Sequence, residues 1–230
     1  MTTEARRLPE LFQEILLNFL PEFLLLVAPR QAPRLKLEHG EFVQPAESLE
    51  GDMIFRTETL DGQPVIVLIH VAPEGLAADL DHRMARAGLS FVAQPDVSVL
   101  PIAVLLEGGG EEGQREIYPR EVRLDAAGFW SVRFRYLVVA MSRGKAEAYL
   151  ARKDPLASAL ASLMPYGGGG RVEHKLRCLQ KIASARELNP HRRNQLCSFV
   201  HEALPLDSEE EKTLEARIPE ELRDFLRSTG

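Results

Sequence analysis

Seven consecutive residues, VIVLIHV at 65–71, carry a single polar side chain, and no other stretch constrains the fold so tightly. A strand sends alternate side chains to opposite faces, so a run without alternation must be covered on both sides. This is the pattern of a central strand. Pro73 stops it, because proline has no N–H to give to a ladder. On the amino side, Asp61-Gly62 supplies a hairpin signal, since both residues tolerate positive φ. Gly51 to Leu60 is then the partner strand, with Met53 and Phe55 on one face and Asp52, Ile54 and Arg56 on the other. Downstream, Leu76 to Ala93 reads as a helix with Leu76, Leu80, Met84 and Phe91 turned inward.

The remaining chain falls into place around this unit. Leu8 to Val27 is an amphipathic helix with Leu11, Ile15, Leu16, Phe19 and Phe23 near helical spacing, and Pro21 must kink or restart it. Leu35 to Val43 alternates weakly, as a short edge strand would. Val97 to Leu106 is a second strand apolar on both faces, where Pro101 suggests a bulge. A strand pair follows at 116–124 and 130–141. Lys145 to Lys153 and Asp154 to Met164 read as helices, the second capped by Asp154 with Pro155 at its first position. Gly167 to Gly170 reads as a linker, and three polar amphipathic helices follow at 172–188, 192–203 and 207–226. The expected organisation is a mixed α/β core over 1–166 and a helical region over 171–230.

Composition narrows the function classes. In 230 residues, a formal charge of -6 argues against a protein that coats nucleic acid non-specifically, although local basic patches remain open. Cys178 and Cys197 lie in helical sequence without a CxxC or a nearby histidine pairing, so they read as reduced, buried thiols. The N-terminus lacks the apolar core of a signal peptide, and the apolar run Phe19 to Ala28 is interrupted by Pro21 and Glu22. A cytoplasmic protein without a membrane segment is expected, and a homo-oligomer stays open.

Asp52 opens one hairpin strand and Glu74 follows the other, a layout that suits phosphodiester cleavage with a divalent ion. Such chemistry needs carboxylates converging from rigid neighbouring strands on an ion that polarises the phosphate and activates water. Asp52 and Glu74 are therefore the candidate catalytic and metal-binding residues. His70, mid-strand, is either a ligand or base, or a histidine satisfied by a hydrogen bond in the core. Asp79, Asp81 and His82 either ring a metal or stabilise a helix start. Arg171, Lys175, Arg177 and Lys181 form a basic stripe that either contacts phosphates or is a solvated helix face.

Several segments in order, among them LFQEILLNFLPEFLLLVAP, EFVQPAESLEGDMIFRTETLDGQPVIVLIHV, Arg83-Met84, VLPIAVLL, DPLASALASLM and LCSFVHEALPLDSEEEKTLEARI, resemble the Rpn family of recombination-promoting nucleases. That family, also described as YhgA-like transposases, belongs to the PD-(D/E)XK nuclease superfamily. The resemblance implies a restriction-endonuclease-like α/β core with a mixed central sheet flanked by helices, a C-terminal helical extension, Mg²⁺ or Mn²⁺ as cofactor, and DNA as partner. It also implies that Glu41 and Arg83 support the site beside Asp52. The family's central strand ends in Glu-x-Gln, where this chain has Ala72-Pro73-Glu74; its first helix carries Asp and Lys, where Pro9 and Gln13 stand. The helix after the site ends its Arg-Met-x-x-Tyr motif here with Ala87. At about 3.3 Å per residue, Glu74 is displaced by ~6.6 Å from the position of Ala72. The expectation is a related endonuclease with impaired catalysis, or an inactive DNA-binding or protein-interaction module on the same fold.

Overall fold

The computed structural model describes residues 4–43, 52–73, 79–92, 96–108, 115–126 and 130–219. The chain divides into two compact units, one of Met1–Glu22 with Gly144–Gly230 and one of Phe23–Arg143. The first helix, α1 (Glu4–Val27), belongs to both. Its helical geometry breaks at Phe19 (φ -129°, ψ 21°), two residues before Pro21, whose ring cannot tolerate the helical carbonyl four residues back.

The second unit holds a six-stranded mixed sheet. Its strands are β1 (Glu41–Val43), β2 (Asp52–Glu58), β3 (Pro64–Ala72), β4 (Ser98–Leu105), β5 (Ile117–Ala126) and β6 (Trp130–Ala140), in the order β1-β2-β3-β4-β6-β5. β4 runs parallel to both β3 and β6, and the other pairs are antiparallel. The class is α/β. β3 is central and buried from Val65 to Ala72, as an apolar run without alternation requires. The helix α2 (Leu80–Val92) covers the sheet face formed by Ile54, Ile66, Leu68, Ala72, Ala103, Leu105, Phe134, Tyr136 and Val138. It lies so close that a Cβ on Gly88 would come within 2.3 Å of the Phe134 ring.

Two local expectations change. In place of an edge strand over Leu35 to Val43 there are two 3₁₀ turns, Ala32–Arg34 and Leu37–His39, before the short β1. Gly40 separates them because a side chain there would overlap the Phe55 ring, with its Cβ 1.9 Å from that ring's tip. Pro101 forms no bulge, since β4 keeps one-to-one register with β3 through Leu68↔Pro101. Pairing with β6 begins only at Ile102, so the proline occupies the last position with a single strand neighbour. The helix after β3 is observed from Leu80, and the positions from 74 to 78 lie outside the described residues.

The hairpin turn also differs from two residues at positive φ. Gly62 (φ 87°) takes the left-handed conformation, while Asp61 does not. Gly62 N donates to Thr59 O at 3.0 Å and Thr59 N donates to Gln63 O at 2.8 Å. This is a three-residue loop closed by a glycine bulge. It sets the register at Glu58↔Pro64 and therefore at Asp52↔His70. A two-residue Asp61-Gly62 turn would instead pair Asp52 with Val71, whose side chain points to the opposite face.

The first unit is helical. It contains α3 (Ala146–Leu150), α4 (Pro155–Leu160), α5 (Gly170–Ala183), α6 (Pro190–Ala203) and α7 (Ser208–Arg217). Asp154 caps α4 by accepting the Leu156 N–H at 2.9 Å, with Pro155 in the first turn. Gly169 and Gly170, both at positive φ, open α5 directly. Inside this unit Phe12 packs against Phe199, and the Arg192 guanidinium lies 3.9 Å above the Phe19 ring while its Nη2 donates to Glu22.

Candidate functional site

The antiparallel hairpin places the first residue of β2 beside the carboxyl end of β3, whose pairing with β4 is parallel, and α/β proteins place ligand sites at the carboxyl ends of such strands. There Asp52 and His70 are cross-strand partners on the α2-facing side of the sheet. His70 Nδ1 lies 2.7 Å from Asp52 Oδ1, with side chains 6% and 7% exposed. An ionised carboxylate can only accept, so Nδ1–H of His70 is the donor of this bond. The pair satisfies two polar groups that would otherwise each cost about 1–3 kcal/mol of desolvation. Of the two sequence readings of His70, the hydrogen-bonded core histidine describes this geometry.

The neighbouring acids are engaged as well. Asp79 accepts from Arg83 Nε at 2.7 Å, which holds its carboxyl below the usual range, with a smaller contribution from His70. Asp81, in the first turn of α2, accepts two bonds from Arg120, Nε to Oδ1 at 2.6 Å and Nη2 to Oδ2 at 2.7 Å. Tyr136 Oη donates to the same carboxylate at 2.6 Å. The Arg120 bonds hold the Asp81 carboxyl low, and burial followed by the bond to Asp81 pushes the Tyr136 hydroxyl up. This three-residue cluster pins the start of α2 to β5 and β6. Arg120 and Tyr136 are register partners on β5 and β6.

The candidate ligands do not come together among the described residues. Glu41 pairs with Arg56, four residues along β2 from Asp52, a separation of about 13 Å at 3.3 Å per residue. Arg83 answers Asp79 and not Asp52. Ala72 is buried in the apolar layer under α2, at 7% exposed. Leu106 N donates to Ala72 O at 3.0 Å and Glu107 N to Pro73 O at 3.1 Å, and the backbone bends at Pro73 where β3 has ended. Glu74 lies outside the described residues. Mg²⁺ prefers several oxygen ligands in octahedral array. Asp52 offers one carboxylate with an oxygen already held by an N–H. Among the described residues no group of three or more His, Cys, Asp or Glu side chains is placed to hold a metal. The described residues do not fit the ion.

No family model, curated protein or solved structure matches this chain.

The basic stripe on α5 is largely answered from within. Arg171 donates to Pro205 O at 3.3 Å and pairs with Glu210 at 3.4 Å. Lys175, 1% exposed, reaches Glu211 at 3.2 Å. Arg177 forms a two-pronged pair with Glu147, at 2.6 and 2.7 Å, which keeps the Glu147 carboxyl low. Lys181 is exposed and lines a shallow groove of about 410 Å³ with Leu150, Gln180 and Ser184. Cys178 and Cys197 are free and buried, and burial pushes both thiols up to about 12, which makes them inert packing groups. Among the described residues, no helix is long and apolar enough to cross a membrane.

Proposed function

We propose that this chain is a relative of the transposase-like DNA endonucleases in which metal-dependent phosphodiester hydrolysis is lost. It acts as a nuclease-fold module that engages DNA without cutting it. The observation that carries this reading is the buried Asp52–His70 hydrogen bond of 2.7 Å, beside Ala72. Asp52 is the residue the resemblance makes the metal ligand, yet its Oδ1 is committed to an imidazole N–H. The next inward position of the central strand is a methyl group where a second carboxylate is needed. Among the described residues no second carboxylate joins it, and one half-occupied carboxylate in an apolar layer neither draws Mg²⁺ out of water nor orients an attacking water. What remains of the site's chemistry is structural: the pair locks the start of β2 to β3.

The support for the family side of the proposal is the order of elements. A helix, a hairpin, a central strand, a covering helix and a parallel strand follow one another as the resemblance implies. The test is incubation of the purified chain with plasmid DNA and Mg²⁺ or Mn²⁺, next to Asp52→Ala. The expected result is intact plasmid with both proteins, and the same weak Mn²⁺ binding for both by calorimetry. Plasmid cleavage by the unaltered chain that disappears in Asp52→Ala overturns the reading.

A further inference from the structure

We infer that α7 is an acidic strap that occupies the face of α5 on which a phosphodiester backbone would bind. Three ion pairs link the two helices: Arg171–Glu210 at 3.4 Å, Lys175–Glu211 at 3.2 Å and Arg217–Glu173 at 3.3 Å. In two of them α5 supplies the cation. Arg171 and Lys175 stand four residues apart, on one side of the helix, about 6 Å from each other along its axis. Glu210 and Glu211 are the carboxylates that face them. Neutralisation of adjacent cations by adjacent anions is the contact a nucleic-acid backbone would make with the same side chains.

The apolar docking of α7 is small among the described residues. Of its ten residues only Leu214 is buried, with Ile218 just beyond its end as a second apolar contact. An isolated helix of this length is marginal in water, so its order depends on docking. Asp207 caps it through the Glu209 and Glu210 N–H groups, both at 2.9 Å, and Glu210 Oε2 accepts the Asp207 N–H in return. Glu210 therefore stands in both the cap and the ion pair with Arg171. A competing polyanion that draws Arg171 away also loosens the first turn of α7. Lys175 is 1% exposed while its partner Glu211 is 41% exposed. The lysine is the covered half of the pair, and withdrawal of α7 uncovers it. Ionic docking of this kind weakens with salt and with any stronger anion. The partner is the sugar-phosphate backbone of duplex DNA, bound through charge without base readout. Only the choice of DNA over another polyanion rests on the proposed function.

The test measures binding, not cleavage, so it is independent of the plasmid experiment. The full chain, Glu210→Gln/Glu211→Gln and Leu214→Ala are titrated onto a short fluorescent DNA duplex at low salt, with folding checked by circular dichroism. The first variant removes the competing charge, and the second loosens the strap without a change of charge. Both are expected to bind about tenfold more tightly than the unaltered chain, a difference of about 1.4 kcal/mol. Their affinities are expected to fall more steeply with salt, as more counterions are displaced. Adding Arg171→Ala/Lys175→Ala to the charge variant should return binding to its starting level. Folded variants that bind no better than the unaltered chain overturn the inference. So does a gain that survives loss of Arg171 and Lys175, or an absence of DNA binding by every form.

Discussion

Asp52–His70 in the sheet and Lys175–Glu211 in the helical unit are both polar pairs beside apolar cores, yet they are covered differently. In the first, both partners are sealed, at 7% and 6% exposed. In the second, the cation is sealed and the carboxylate reaches solvent, at 1% and 41%. A pair sealed on both sides has no alternative partner, since water cannot enter to replace a lost bond. A pair sealed on one side can exchange its partner for water or another ion. The first is therefore suited to fixing a structure, and the second to a contact that opens.

The largest effect expected from this contrast follows removal of one sealed partner. Asp52→Ala leaves the His70 N–H without an acceptor and should lower stability by about 1–3 kcal/mol in urea unfolding, with no dependence on salt. His70→Ala should act similarly, and the double variant should lose less than the sum of the two. A marked salt dependence would place Asp52 in contact with solvent and break the comparison. At the covering helix, Gly88→Val should cost about 1–3 kcal/mol through its clash with Phe134, read as a lower thermal midpoint. In the helical unit, Glu211→Gln should cost less, at most about 1 kcal/mol, because Lys175 can find water once α7 lifts. Its signature is faster amide exchange within α7 while α5 stays protected.

Acid should separate the two regions further. Burial holds the folded-state pKa of His174 and of His201 below the ordinary value of 6.5. Below that value the unfolded chain takes up protons that the folded chain refuses, so stability falls as pH falls. Amides of α5 and α6 should therefore lose protection between about pH 7 and pH 5, and His174→Gln should reduce that loss. The smallest effect belongs to Asp81, whose folded-state pKa is depressed, chiefly by Arg120, from 3.8. Its stabilisation is present above that value and is lost as pH falls below it. Asp81→Asn should flatten only this last part of the acid unfolding curve.

Much of the fold was legible in the sequence because it rests on patterns that tolerate small errors. Unbroken burial of Val65 to Ala72 and the Asp154-Pro155 helix start both act locally. The site was less legible because it depends on partners far apart in the chain. Asp52 and His70 could each be named as candidates, but their contact depends on the form of a turn nine residues from the one and eight from the other. Asp81, Arg120 and Tyr136 meet from three elements, and no spacing in the sequence announces the cluster. The basic stripe on α5 was visible as composition, whereas its partners Glu147, Glu210 and Glu211 come from other helices.

The glycine bulge at Gly62 has a further consequence for how such a chain can change over generations. A point substitution at Asp52 or His70 alters one group. Loss of a single residue from the Thr59–Gln63 loop shifts the phase of the whole arm by one step. Asp52 is about 20 Å of strand from Glu58, at 3.3 Å per residue, yet it would then turn from the α2 side to the opposite side. Lineages that share this sheet can therefore switch the identity of its edge chemistry by insertion or deletion in a distant loop, with every residue of the edge left as it was.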